Sequence, residues 1–181
     1  MKEVWEVLWS LACLVRTGWM QRGVPPALGE SVALHSFYSA VLAYEIGVRL
    51  KKRGLNVNPE RAALIALYHD FGEAKLGDIP KWSSDRAKEV KEALEREAIE
   101  ELKEVLEGWK LSMEYMEGTT EAKVAKVAET LATYFQAEKY VEMGMKRVEE
   151  IRESMRESLM KMAEEMGEPL RELLRDILGS A

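Results

Sequence analysis

The 181 residues predict an all-α fold. Two observations carry that expectation. Apolar residues recur at three- and four-residue intervals through most of the chain, and no stretch alternates apolar and polar residues for long enough to make a strand. Glycine and proline interrupt the periodic runs, at Gly23, Pro25, Pro26, Gly54, Gly108, Gly144 and Gly167 among others. These breaks divide the chain into six or seven helices. The length suits one domain with a substantial core, so residues 1–181 are expected to fold together.

Composition narrows the function classes. Lys and Arg number 26 against 32 Asp and Glu, a net charge of -6, and there is no basic run. A nucleic-acid polymer is therefore not an expected partner. A single cysteine, Cys13, cannot form an internal disulfide, which fits a reducing cytoplasm. Val7 to Val15 is apolar but far short of the roughly 20 residues that span a bilayer, and Lys2 is followed by Glu3 and Glu6, unlike a secretory leader. No membrane segment is expected. Abundant Lys and Glu with scarce Asn and Gln is a hyperthermophile-like composition.

The first helix covers residues 1 to about 14, with Val4, Leu8, Leu11 and Val15 on one side. Residues 15–26 read as a loop carrying Arg16, Trp19 and Arg22. Taken alone, those are two solvated arginines and a half-buried Trp. Arg also matches phosphate geometry, and Trp offers a flat face to a sugar or base. Ser31 is a plausible N-cap for a second helix to about residue 53, which places His35 on or beside its buried stripe. A lone histidine there is more often core than ligand.

Asn58-Pro59 starts the third helix, which runs to about Asp70; Gly72 leaves its continuation open. Gly77-Asp78-Ile79-Pro80 is a turn with Asp78 exposed at its bend. Ser84 is expected to cap a fourth helix to about Glu107, and residues 109–119 to connect. A fifth helix runs from about Thr120 to Met143 with Glu129 in its middle, where a solvent-facing charge is the ordinary reading. Two amphipathic helices follow, divided by Gly167 and Pro169. Their row of methionines reads as core or subunit-contact packing.

The polar residues around the third helix form a constellation. His69 and Asp70 end an apolar helix and can point at one divalent ion; His35, on a neighbouring helix, can add a third ligand and a later carboxylate a fourth. Glu73 shares the His69 face if the helix continues, and Asp78 joins only if its turn folds back.

The stretches Arg16-Thr17-Gly18-Trp19, Glu30 to Ser36, Tyr68 to Ala74, Gly77 to Pro80, and Glu121-Ala122-Lys123 leading to Glu129 resemble the HD-domain phosphohydrolases of the 5'-deoxynucleotidase type. The resemblance implies an HD-domain helical bundle. It implies a divalent ion (cobalt, manganese, zinc, nickel or magnesium) held by His35, His69, Asp70 and Glu129. Glu73 and Asp78 would be the acid/base and water-orienting residues. Arg16 would contact phosphate and Trp19 would wall the sugar. The implied reaction removes the 5'-phosphate from (deoxy)nucleoside monophosphates in a homodimer.

Two positions depart from the family pattern. Glu129 stands where Asp is usual, and Leu34 where an acid precedes the first histidine; both are expected to weaken activity. Two alternatives stay open: hydrolysis of another phosphate ester, such as a triphosphate or phosphodiester, and an impaired metal-binding scaffold.

Overall fold

The computed structural model describes residues 1–179, leaving the Asp85 side chain aside. Among the described residues there are eleven α-helices and one short 3-10 turn, and the only β pairing is a single antiparallel bridge between Val15 and Ser31. Seven helices correspond to those expected. They are α1 (Lys2–Cys13), α3 (Val32–Lys52), α4 (Pro59–Tyr68), α7 (Lys88–Leu102), α9 (Thr120–Glu142), α10 (Glu149–Met166) and α11 (Glu168–Leu178). The other four are short: α2 (Thr17–Gln21), α5 (Glu73–Leu76), α6 (Lys81–Arg86) and α8 (Trp109–Glu117).

Each departure has a local cause. Ser84 is not an N-cap. Pro80 holds the N-cap position at φ -65°, so a helix begins at Lys81, and the chain breaks at Ala87 before α7 starts. Residues 109–117 are helical because Ser112 points inward with Leu111 and Tyr115 packed on the core, and Gly118 ends the turn at φ +74°. The helix bearing His69 does not continue through Glu73; α4 stops at Tyr68 and Glu73 opens α5. The expected caps at Ser31 and Asn58 are formed, with the side-chain oxygens accepting from the N–H groups of Leu34 and Arg61.

The largest core joins α3, α4 and α9 through Ala43, Ile46 and Leu50, Ala62 and Ile65, and Val127 and Leu131. Gly47 makes the α3–α4 approach possible, since a Cβ there would lie 3.0 Å from Cα of Pro59. The C-terminal helices join the same core. Leu159, Leu170, Leu173 and Leu174 are buried, each worth about 1.5–3 kcal/mol relative to exposure. A second cluster, of Leu11, Val32, Phe71, Leu102 and Leu106, fastens α1 and α7 over the turn after His69. A third, of Trp19, Val24, Ala137, Tyr140 and Val148, fastens α2 to α9. No described helix is long and apolar enough to cross a membrane.

Candidate active site

Three core helices deliver one polar side chain each to a common point. His35 comes from the first turn of α3, His69 from the residue that ends α4, and Glu129 from the middle of α9. One ligand atom from each lies within 4.8 Å of the others. The His35 and His69 rings meet edge to face with centroids 5.3 Å apart. Asp70 stands outside that tight set but beside it, with Oδ2 3.0 Å from His69 Nε2.

The donor atoms suit a divalent ion. His69 Nδ1 lies 2.6 Å from the Ala66 carbonyl, so Nδ1–H donates there and Nε2 keeps its lone pair. His35 Nε2 is buried with no hydrogen-bond partner and lies 3.9 Å from Glu129 Oε2. A buried imidazole nitrogen left without a partner between a second imidazole and a carboxylate fits a ligand role. Glu129 is held for it: Oε1 accepts from the Tyr115 hydroxyl at 3.3 Å and from Thr130 Oγ1 at 3.2 Å. The mid-helix Glu is therefore half-buried and turned toward the histidines, not a solvent-facing charge.

The titration directions follow from packing. Burial favours neutral Asp70, but the adjoining His69 overrides it and holds the carboxyl well below its usual range. Burial likewise disfavours a charged His69, yet Asp70 and then Glu129 raise it overall. His35 is lowered by burial and then by the Arg16 charge, against a partial offset from Glu30. A neutral His35 is the form that can bind a cation.

Glu73 reaches this site from α5. Its Oε2 is buried without a hydrogen-bond partner, and burial, then the Asp70 and Asp78 carboxylates, push its carboxyl up to about 10. Glu73 therefore carries a proton at neutral pH. Asp78 is half-buried, not exposed, because Gly77 at φ +76° turns the chain back. Asp78 Oδ2 accepts the Thr17 N–H, and its carbonyl accepts Thr17 Oγ1 at 3.2 Å. Asp78 thus ties the turn to the segment that carries Arg16.

Arg16 is partly buried. Its Nη1 lies 3.3 Å from Glu30 Oε2, 3.2 Å from His35 Nδ1 and 3.2 Å from Thr133 Oγ1. Trp19 differs more from expectation. It is 2 % exposed, its Nε1–H donates to Glu30 Oε2 at 3.0 Å, and its ring packs edge-on against Tyr140. Only part of its edge faces the cavity. Arg22 pairs with Glu150 at the rim.

Arg16, Trp19, Arg22, His69, Asp70, Glu73, Asp78 and Glu129 border one cavity of about 710 Å³, which reaches past Lys91 and Trp82 to Ser154 and Met155 on α10, while His35 and Glu30 lie buried behind its wall. Some residues in and behind the site had no role assigned from sequence. Glu30 lies inside a quoted motif but looks like a helix-start acid. Tyr115 lies in a stretch read as a connector. Lys91, paired with Glu95 at 2.9 Å, looks like one more solvated i,i+4 charge. Leu34 is 40 % exposed on the outer side of α3, so an acid at that position would not sit against the His35 ring.

Residues 10–173 match the sequence profile of the HD domain family. The chain belongs to the HD domain family. The 5'-deoxynucleotidase YfbR of Escherichia coli O127:H6 is 41% identical over 78 residues, which cover 40% of this chain and 39% of that one. The 5'-deoxynucleotidase of Vibrio cholerae is 39% identical over 85 residues, covering 42% and 44%. That of Vibrio vulnificus is 31% identical over 119 residues, covering 59% and 60%. The chain thus matches less than two thirds of the length of each of these relatives. Two solved structures align with this HD-domain chain almost end to end. A conserved hypothetical protein from Pyrococcus furiosus has a TM-score of 0.80 at 32% identity, covering 98% of both chains. The PH0347 protein from Pyrococcus horikoshii has a TM-score of 0.76 at 31% identity, covering 97% of this chain and 99% of its own.

Proposed function

We propose that this HD-domain chain is a divalent-metal-dependent phosphohydrolase that removes the 5'-phosphate from (deoxy)nucleoside monophosphates. One observation carries the reading: two imidazoles and a carboxylate converge within 4.8 Å, and His69 and Glu129 of that set border the same cavity as Glu73 and Arg16. The names of the 5'-deoxynucleotidase relatives support the substrate class. A cavity of this volume accommodates a nucleotide.

His35, His69, Asp70 and Glu129 would hold the ion. Two imidazoles favour manganese, cobalt, nickel or zinc over magnesium, which prefers oxygen ligands. The bound ion supplies a Lewis acid that offsets phosphate charge and eases deprotonation of the attacking water. Glu73 gives its carboxyl proton to the 5'-oxygen as the phosphorus–oxygen bond breaks. The water oxygen bonds to phosphorus, and one of its protons returns to Glu73, so nucleoside and hydrogen phosphate leave. Arg16 adds fixed positive charge where the phosphate oxygens gather charge. Asp78 holds Thr17, and through it the Arg16 segment, and raises the proton affinity of Glu73. The edge of Trp19 limits the space beside the sugar.

The partner is a second copy of the chain. Leu34, Phe37, Val41 and Tyr44 are exposed on α3 at alternating three- and four-residue spacing, the repeat with which a helix pairs with its own two-fold mate. A cytoplasmic location is consistent with a lone free Cys13.

The test is a hydrolysis screen with manganese, cobalt or zinc added, in which products are separated by chromatography and free phosphate is measured alongside. Its substrates are deoxynucleoside monophosphates, deoxynucleoside triphosphates and cyclic dinucleotides. Turnover should concentrate on the monophosphates. A preference for triphosphates or phosphodiesters would overturn the substrate assignment, and no turnover of any substrate would overturn the enzymatic reading.

A further inference from the structure

We infer that Glu30 is the residue that orients His35 for the ion, by accepting the His35 Nδ1 proton. This rests on the metal-dependent reading above. Two buried atoms on opposite sides of the site lack hydrogen-bond partners: His35 Nε2, which faces the Glu129–His69 cluster, and Glu30 Oε1. Glu30 Oε1 lies 3.8 Å from the other nitrogen of that ring, Nδ1. One placement of a single proton serves both, once Oε1 closes from 3.8 Å to hydrogen-bond distance. With the proton on Nδ1, the imidazole faces Oε1 with an N–H and faces the cluster with the Nε2 lone pair. The opposite tautomer leaves Oε1 without a donor and points an N–H at the position the ion needs.

The rest of Glu30 is held in place as a carboxylate positioned for that task would be. Its backbone N–H donates to the Tyr140 hydroxyl at 2.8 Å, and its carbonyl accepts the Arg16 N–H at 3.0 Å. Its Oε2 accepts from Trp19 Nε1 and from Arg16 Nη1, which leaves Oε1 for the imidazole. Burying a carboxylate is expensive, and here it is matched by two donors on Oε2, with Oε1 an unfilled acceptor on the side of a ligand ring. In the observed geometry Arg16 Nη1 also approaches Nδ1, at 3.2 Å, so Glu30 and Arg16 compete for that nitrogen. Loading of the ion requires Glu30 to win. Leu34 then causes no loss. The carboxylate behind His35 comes instead from the residue before the N-cap Ser31, across the bridge that pairs Val15 with Ser31.

The chain has only two histidines, so the tautomers can be read directly. Long-range proton–nitrogen spectra of the zinc-loaded protein should show both rings protonated at Nδ1 and bound through Nε2. A loaded His35 protonated at Nε2 overturns the inference. In parallel, manganese affinity is measured by calorimetry on wild type and Glu30→Gln, each checked for native circular dichroism. The variant keeps the shape and an acceptor for Trp19 but loses the charge behind the ring. Its affinity should fall about 10- to 100-fold. If Glu30 serves only as a structural counter-ion to Arg16, thermal stability falls while the affinity of the folded protein stays within twofold, and the inference fails. If Glu30→Gln does not fold, Glu30→Asp keeps the charge but withdraws Oε1 by one methylene. It should still weaken manganese binding at least fivefold, and wild-type affinity overturns the inference. Wild-type protein that binds neither zinc nor manganese contradicts the metal-dependent reading itself, which is a different result from any of these.

Discussion

Replacing Glu73 by Gln should stabilise the fold while disabling the enzyme, and the stabilisation should grow with pH. Glu73 is buried beside Asp70 and Asp78, and these three influences push its carboxyl up to about 10. In the unfolded chain a glutamate titrates near about 4.3. Between those values the folded protein holds a proton that the unfolded chain releases. A carboxyl raised on folding makes stability fall as pH rises, by at most about 1.4 kcal/mol per unit, and the fall ends only above the folded value. The full stability is therefore present below about pH 4 and drains away through neutral pH. Glutamine does not titrate, so the variant lacks this slope. From pH 5 to pH 8 the difference between the two proteins should change by up to about 4 kcal/mol, and a chain of this size gains about 2–4 °C in Tm per kcal/mol. Even half of that is several degrees. The assay is thermal unfolding in chelator across that range, alongside phosphate release with metal added, which should drop by about 10²–10⁴-fold. A Tm difference that stays flat with pH would show that Glu73 does not carry an abnormally held proton, and the general-acid assignment would go with it.

Arg16→Met removes a cation from the buried Glu30 carboxylate. The resulting loss at pH 7 should reach about 3–4 kcal/mol, capped by the cost of protonating Glu30 instead, and should shrink toward about 1 kcal/mol at pH 5, as urea unfolding at the two pH values will show. Tyr115→Phe deletes the hydroxyl that holds Glu129 Oε1. Manganese affinity measured by calorimetry should fall by about tenfold with little change in Tm. Val41→Glu places a charge in the exposed α3 stripe and should convert a dimer to a folded monomer in light scattering. An unchanged dimer mass would place the subunit contact elsewhere, and a monomeric wild type would overturn the proposed dimer.

What could be seen in the sequence was governed by locality. His69, Asp70, Gly77 and Asp78 lie within ten residues, and glycine and proline mark the turns around them, so their grouping was legible. So were the long helices, whose apolar periodicity survives into α3, α9 and α10. Tertiary placement was not legible. Periodicity does not separate Glu129 from a solvated charge, and the family resemblance through Glu121-Ala122-Lys123 alone singled it out; the packing of α9 between α3, α4 and α10 is what turns it inward. Tyr115 acts from a nine-residue helix too short to stand out by periodicity. Glu30 precedes an N-cap, where acids are common, and its value depends on a ring five residues on and a tryptophan eleven residues back. Trp19 was the plainest difference. Flanking glycines and prolines suggested a loop, but the ring fills a small core against Tyr140 and Val148. The Leu34 departure lost its weight for the same reason, since the outward face of α3 is not the face that meets the ion.

The most direct measurement pairs metal content with turnover. Purified wild type and His69→Ala are stripped with chelator, dialysed against manganese or cobalt, and assayed by elemental analysis and by phosphate release from a deoxynucleoside monophosphate. Wild type should regain about one ion per chain and its activity together, and His69→Ala should regain neither. Activity that survives stripping, or a His69→Ala protein that binds metal and turns over as wild type does, would contradict a metal centre built on these histidines.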